Sequence, residues 1–374
     1  MNILILNWRD IKHPLAGGAE ISLLEHARIW KKKGATITWF SSNFAGGKKE
    51  EEIDGIKIYR RGSHYTVHVW AFIYYLRGIF TKVDIIVDCF HFIPYFSNFY
   101  INRKAKIIAL INEVAGKVWF SNIAFPIASL GFFIEPYILL TYKKNIFVTG
   151  SESTRDEVVD IGIPDKNVHV IHHGISVKQD KNISKKEAHP VIVFLGRISK
   201  DKGIDEALEV FREIRKKNRN AKFWIIGKEE KSGIIQKMKQ KEPAQIRNNI
   251  MYYGFVDEKK KFELLKRSWI LIHPSYKEGW GLNVIEANSV GIPTVGYNVS
   301  GLKDSVQHGK TGLLTIENTP KSMAEAVLEL INNKGLYKKI SYNAIMWSKK
   351  FRWKQSGEKS WELIKTIHND KKQN

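Results

Sequence analysis

Short runs of β-branched and large aliphatic residues recur along nearly the whole chain, with helical patterns filling the gaps between them. The runs at 3–7, 36–41, 56–60, 85–89, 107–111 and 146–149 read as strands. Those at 168–171, 191–195, 222–226, 251–254, 270–273 and 294–296 continue the series. Many are apolar throughout rather than alternating, the pattern of strands in a parallel sheet covered on both faces. Helical periodicity falls at 19–33, 154–161, 204–217, 259–268, 282–290 and 322–332. Strand–helix units repeated in this way predict a doubly wound α/β architecture.

At 374 residues the chain is too long for one ordinary core, and two domains are expected. Between 174 and 190 the apolar periodicity gives way to a polar, lysine-rich stretch, which sets the expected domains at 1–175 and 176–349. Two such domains meeting at a cleft would bring their strand C-terminal ends, and the loops that bind ligands, face to face. Solenoid and propeller periods are absent.

Composition narrows the partners. The chain is 43% apolar and 26% charged, which excludes wholesale disorder, and its single cysteine, Cys89, excludes a disulfide scaffold or a cysteine-rich metal site. Sixty Lys+Arg against 38 Asp+Glu leave a net charge of +22, which attracts nucleic acid, an acidic membrane face or phosphorylated small molecules. The basic residues are spread along the chain without a helix-turn-helix, zinc-finger or RNA-binding signature, so nucleic acid is not the expected partner. The opening residues lack the basic segment and long apolar run of a secretory signal, and a cytoplasmic chain is expected.

The stretch 118–142, followed by Lys143 and Lys144, has the length of a membrane span. Pro126, Gly131, Glu135 and Pro136 argue against spanning, because they would leave a charge and broken backbone bonding in hydrocarbon. A buried pair of short helices is the favoured reading. The alternative is a patch lying in a membrane surface, bordered by Lys117, Lys143 and Lys144, to which the aromatic segment 65–80 could belong.

The strongest chemical constellation runs from His273-Pro-Ser through Glu278-Gly-Trp-Gly281 to Glu286. An apolar strand enters a loop carrying Glu278 and two glycines, and a helix opens near Leu282. Glycine at 279 and 281 permits close backbone approach to a ligand, and the free N–H groups opening the helix suit a diphosphate. Glu286 would then suit ribose hydroxyls and Glu278 a sugar beyond the phosphates. Gly17 and Gly18 likewise follow a strand and open a helix, whereas the dinucleotide pattern G-x-G-x-x-G is missing. No Asp-x-Asp pair and no metal-ligand spacing of histidines occurs.

The Glu-x7-Glu spacing after a strand and His273-Pro-Ser resembles the signature of the family-four retaining glycosyltransferases, which use nucleotide sugars and have the GT-B fold. Co-linear matches are Asn7-Trp-Arg-Asp, Ala16-Gly-Gly-Ala-Glu20, Gly150-Ser-Glu-Ser-Thr, Ile171-His-His-Gly, Phe194-Leu-Gly-Arg197 through Lys202-Gly, Gly291-Ile-Pro-Thr and His308-Gly-Lys-Thr-Gly. The resemblance implies two Rossmann-like domains facing across a cleft and the transfer of a hexose from a nucleoside diphosphate, UDP in preference, without a metal or other cofactor. In it Glu278 positions the donor sugar, Arg197 and Lys202 neutralise the departing diphosphate, and Asn112 faces the reaction centre. Gly17, Gly18, Gly281, Leu282, Asn283 and Glu286 bind the donor, and Val256 reads the base. His91, Glu113 and Trp119 lie on the acceptor side. Relatives commonly carry a histidine where this chain has Asn112, which can hydrogen-bond a sugar hydroxyl but cannot exchange a proton.

With the basic excess and the aromatic segments, the resemblance implies a glycan or polyprenyl- or dolichyl-linked acceptor at the cytoplasmic face of an anionic membrane. A nucleotide-sugar-binding protein without transferase activity and a nucleotide-sugar epimerase of the same fold are the alternatives. By resemblance the last helix, 350–374, crosses back onto the first domain through Trp347, Phe351, Trp353 and Trp361. As bare sequence those aromatics fit the second domain equally well.

Overall fold

The computed structural model describes residues 1–80, 82–102, 104–176 and 186–369, so positions 177–185 of the expected linker lie outside the described residues. The chain divides into two compact units. The first holds the residues from Met1 to Trp119, from Phe125 to Gly174 and from Arg352 onward; the second holds the rest, chiefly those between Ile175 and Phe351.

The first unit opens with β1 (Asn2–Leu6), α1 (Gly18–Lys32), β2 (Thr36–Ser41), β3 (Glu50–Ile53), β4 (Ile56–Arg60) and α2 (Val67–Leu76). The chain continues with β5 (Ile85–Phe90), α3 (Ser97–Tyr100), β6 (Lys106–Ile111), α4 (Val118–Asn122) and α5 (Ile127–Thr141). After β7 (Ile146–Thr149), α6 (Glu152–Asp160) and β8 (Val168–Val170) it enters the second unit. That unit comprises β9 (Val191–Leu195), α7 (Ile204–Lys217), β10 (Lys222–Ile226), α8 (Ile234–Gln240), α9 (Ala244–Arg247), β11 (Ile250–Gly254) and α10 (Glu258–Arg267). It goes on through β12 (Ile270–His273), α11 (Leu282–Ser289), β13 (Thr294–Gly296), α12 (Leu302–Ser305), β14 (Gly312–Leu314), α13 (Pro320–Asn332) and α14 (Lys334–Ser348). The last helix, α15 (Trp353–Asn369), returns to the first unit.

The first sheet has the order β3-β4-β2-β1-β5-β6-β7-β8 and the second β11-β10-β9-β12-β13-β14. Both are parallel except where β3 pairs antiparallel with β4. Successive residues of a strand feed opposite cores: Ile3 and Ile5 join one cluster, Leu4 and Leu6 another, and likewise Ile192 and Phe194 against Val191, Val193 and Leu195. The apolar runs of the sequence are therefore strands buried on both faces. The chain order reverses at β1/β5 and at β9/β12, and at such a switch point two loops diverge from adjacent strand ends and leave a crevice between them. Each unit thus holds a doubly wound sheet with its own switch point.

Three features depart from expectation. The edge strand β3, Glu-Glu-Glu-Ile, was not anticipated, because carboxylates that discourage edge-to-edge pairing mask its strand character. Trp353 and Trp361 belong to the first unit, but Trp347 and Phe351 remain in the second, where they pack with Trp280. Glycine and serine bring α15 onto α1 instead: a Cβ on Gly357 would lie 2.3 Å from Ile29 Cδ1, and Ser356 and Ser360 accept hydrogen bonds from His26 and Trp30. Finally, the segment 118–142 does form paired helices, yet α5 is not buried. Only Ala128, Glu135 and Leu139 of α5 are covered.

Candidate active site

The second unit assembles its cluster at the β9/β12 switch point. β9 ends at Leu195 and its loop carries Arg197, Asp201 and Lys202; β12 ends at His273 and its loop carries Ser275 and Glu278. The loops interlock through glycines. A Cβ on Gly203, held at φ +72°, would meet the Pro274 carbonyl oxygen at 2.1 Å, and one on Gly301, at φ +78°, would meet the Glu278 carbonyl oxygen at 2.1 Å. This close approach sets Lys202 Nζ 2.8 Å from Glu278 Oε1, and Arg197 pairs with Asp201 at 2.9 Å.

His273 organises the inner wall. The Asn283 amide nitrogen donates to the Leu195 carbonyl, which leaves Asn283 Oδ1 to accept from His273 Nε2 at 2.9 Å. Burial holds the imidazole below its ordinary pKa despite the neighbouring Glu278, so it is neutral, with its proton on Nε2. His273 Nδ1 and Glu278 Oε1, each 3.1 Å from Ser275 Oγ, then share that hydroxyl's single proton. Burial alone would raise the Glu278 pKa. The charge of Lys202 and the hydrogen bonds from Lys202 and Ser275 outweigh it, and the carboxyl stays ionised below its usual range.

Gly281, at φ +84°, caps α11, whose first-turn amides at Leu282 and Asn283 have no helical partner. Two cations and two carboxylates nearly cancel in this cluster, which leaves those amides as the donors beside it that no carboxylate offsets. Glu286, one turn on, receives Lys261 Nζ at 2.6 Å, and its burial raises its pKa. Val256 follows β11, which β10 separates from the crevice.

The first unit offers a second group at the C-terminal ends of β1, β5 and β6. Gly17 has open space where a Cβ would stand, and its N–H donates to the buried Glu20 at 2.8 Å. Glu20 also holds Arg9 at 3.1 Å and lies 3.5 Å from His91 Nε2. Around Trp8 stand His64, His13 and His91, with ring centroids 4.2, 5.2 and 6.3 Å away. Burial and then the Arg9 charge push His13 down to about 4 and lower His64 and His91, so these imidazoles are neutral hydrogen-bonding groups. Since Phe90 registers with Ile111, His91 and Asn112 leave neighbouring strand ends side by side.

Glu278, Arg197 and Lys202 are thus brought together, while Asn112, His91, Glu113, Gly17 and Gly18 belong to the other unit. Trp119, placed on the acceptor side by the sequence reading, is 4% exposed, and its indole N–H donates to Glu135 at 3.1 Å. It shares Glu135 with the backbone N–H groups of Ala115 and Gly116. Two contributors escaped the sequence reading. Asp201, which orients Arg197, was signalled only by its i,i+4 spacing. Glu135 accepts from the N–H groups of Ala115 and Gly116 at 2.6 and 2.8 Å and carried no signal beyond being a lone charge in an apolar run.

Known proteins resemble this chain in sequence and in fold. Residues 176–347 fit the sequence model of glycosyl transferases group 1, and residues 16–179 that of glycosyltransferase family 4. A capsular polysaccharide biosynthesis glycosyltransferase, CapM of Staphylococcus aureus, is 28% identical over 59% of this chain and 60% of its own. The chain spans about three fifths of the length of such curated relatives. Sucrose-phosphate synthase from Thermosynechococcus elongatus superposes with a TM-score of 0.79 at 15% identity, covering 99% of both chains. HepE of Anabaena, solved with UDP-glucose, gives 0.72 at 16% identity over 98% of this chain and 100% of its own. The chain belongs to the family-four glycosyltransferases and has their GT-B fold.

Proposed function

We propose that this protein is a retaining glycosyltransferase that moves a hexose from UDP to a glycan or polyprenyl-linked acceptor at a membrane face. The observation that carries the reading is the Lys202–Glu278–His273 cluster beside the open first turn of α11, all at one switch point. The solved complexes of HepE with UDP-glucose and with UDP support the choice of base and sugar class.

In this reading the bond between the sugar C1 and the β-phosphate oxygen breaks, and the acceptor oxygen bonds to C1 from the same face. The acceptor proton passes to the departing diphosphate oxygen, so the protein need not supply an acid. Ionised Glu278 positions the donor sugar. Lys202, Arg197 and the amides of Leu282 and Asn283 stabilise the charge that grows on the diphosphate. Glu286 holds the ribose, and Asn112 with His91 hydrogen-bonds the acceptor. Because basic groups and a helix end meet the diphosphate charge, no metal is required.

The test is nucleoside diphosphate release from UDP-, GDP- and ADP-hexoses in EDTA, with and without lipid-extracted acceptors, and with the product anomer assigned by NMR. Acceptor-stimulated UDP release with retained configuration is expected. An inverted product, or dependence on added metal, would overturn the mechanism. UDP-sugar binding without turnover for any acceptor would favour a donor-binding protein, consistent with an Asn112 that cannot exchange protons.

A further inference from the structure

The helix α5 runs back from the C-terminal edge of the first sheet, where β6 ends, to the opposite edge, where β7 begins. Its residues Ile127, Leu130, Ile134, Tyr137 and Thr141 follow one another at steps of three or four and share one face. All are exposed, Leu130 to 60% and Tyr137 to 71%, whereas the opposite face is buried. An apolar stripe of this length on a helix that turns only its other side to the core marks an interaction surface.

At the C-terminal end of the stripe lies a cavity of about 520 Å³, at the N-terminal ends of β6 and β7. Thr141, the last residue of the stripe, lines it together with Lys106, Lys144, Asn98 and the exposed Phe99. Neither lysine makes an ion pair among the described residues. Asn98 donates its amide N–H to the Thr141 carbonyl at 3.0 Å, which fixes the amide orientation. Its Oδ1 is left buried without a hydrogen-bond partner. The cavity thus presents two cations, one acceptor in want of a hydroxyl, and an apolar rim continuous with α5.

We propose that the outer stripe of α5 and the cavity at its end dock the protein on a bilayer of anionic glycerophospholipid, with a headgroup phosphate between Lys106 and Lys144 and a headgroup hydroxyl on Asn98. The stripe then enters the acyl boundary while the lysines sit at phosphate level, the arrangement of interfacial helices. A second copy of this chain is a poor occupant, because two molecules of charge +22 repel. The inference deepens the membrane placement in the proposed function but needs no part of the transfer chemistry.

Sedimentation of the full chain with phosphatidylcholine vesicles, and with mixtures of phosphatidylcholine with phosphatidylglycerol or phosphatidic acid, tests it. Binding is expected to the anionic mixtures alone and to be tighter for phosphatidylglycerol, whose headgroup carries hydroxyls. The double variant Lys106→Ala/Lys144→Ala should weaken it roughly thirtyfold, and Leu130→Ser/Tyr137→Ser about tenfold or more. Thermal melts and UDP binding should stay unchanged in both variants. The proposal is overturned if wild type does not bind, or binds neutral vesicles equally. It also fails if both variants bind like wild type, or if the stripe variant alters only self-association. Vesicle binding without UDP binding in wild type would sink the proposed activity and leave this docking site standing.

Discussion

Lys202 and Glu278 are 76 positions apart, yet their charged atoms lie 2.8 Å from each other. The switch point closes this distance: β9 and β12 are neighbours in the sheet, each loop leaves a C-terminal end, and Gly203 lets one loop rest on the backbone of the other. The pair keeps Glu278 ionised and Lys202 oriented before a ligand arrives. In the proposed reaction, charges held in place in this way would stabilise a developing diphosphate without reorganising.

Replacing Lys202 with methionine should therefore lower kcat by about 10²–10³, the usual cost of one electrostatic donor at the transition state. The pKa of Glu278 should rise in the same variant, because burial would act without its main counterweight. An unchanged kcat, with only KM altered, would assign Lys202 to ground-state binding.

Gly301→Ala should damage the site through the backbone. The φ of +78° disfavours alanine, and its Cβ would meet the Glu278 carbonyl oxygen at 2.1 Å. A loss of about 1–3 kcal/mol from the local strain is expected, read as a lower Tm together with weakened UDP binding. A normal Tm with normal binding would show that the loop does not depend on this contact.

Glu135→Gln tests the loop of Ala115 and Gly116, which the proposed function sets on the acceptor side. An amide NH2 in place of Oε1 would face the Ala115 N–H, and in place of Oε2 it would face both the Gly116 N–H and the Trp119 indole. Leaving a buried donor unpaired costs about 1–3 kcal/mol. Acceptor-dependent turnover should fall while the KM for donor stays constant, and Trp119 fluorescence should shift. A matching rise in donor KM would contradict a role confined to this loop.

Acid should destabilise the first unit before its carboxylates titrate. Burial pushes His26 down to about 3, and burial pushes His173 down to about 4, aided by His172. In the folded chain these rings are neutral, so the unfolded chain binds more protons as pH falls below about 6.5. Their stabilising contribution is whole above that pH and is lost between about 6.5 and their folded pKa values. Chemical denaturation across pH 7 to 4 should show the decline, and His26→Gln should flatten it. A stability independent of pH over that window would refute the burial of these imidazoles in neutral form.

Much of the fold was legible in the sequence, because strands buried on both faces leave uninterrupted apolar runs. Elements that escaped did so for local reasons: β3 is nearly all glutamate, and β14 spans only three residues. The Glu278 loop was legible through its glycines and the helix that follows. The Asp201 and Glu135 contacts were not, because each joins residues whose neighbourhood depends on how a loop returns to the sheet.

The amino-acid sequence by itself determined the two doubly wound sheets and the loops where ligand chemistry gathers, since periodicity and glycine placement are local properties of the chain. Tertiary structure alone decided that Lys202 faces Glu278, that Trp119 turns inward to Glu135, that α15 seats Gly357 against α1, and that α5 keeps its apolar stripe uncovered. Periodicity records which residues prefer to leave water. Only the packed structure supplies the surface they leave it against, and for the outer face of α5 the described residues supply none.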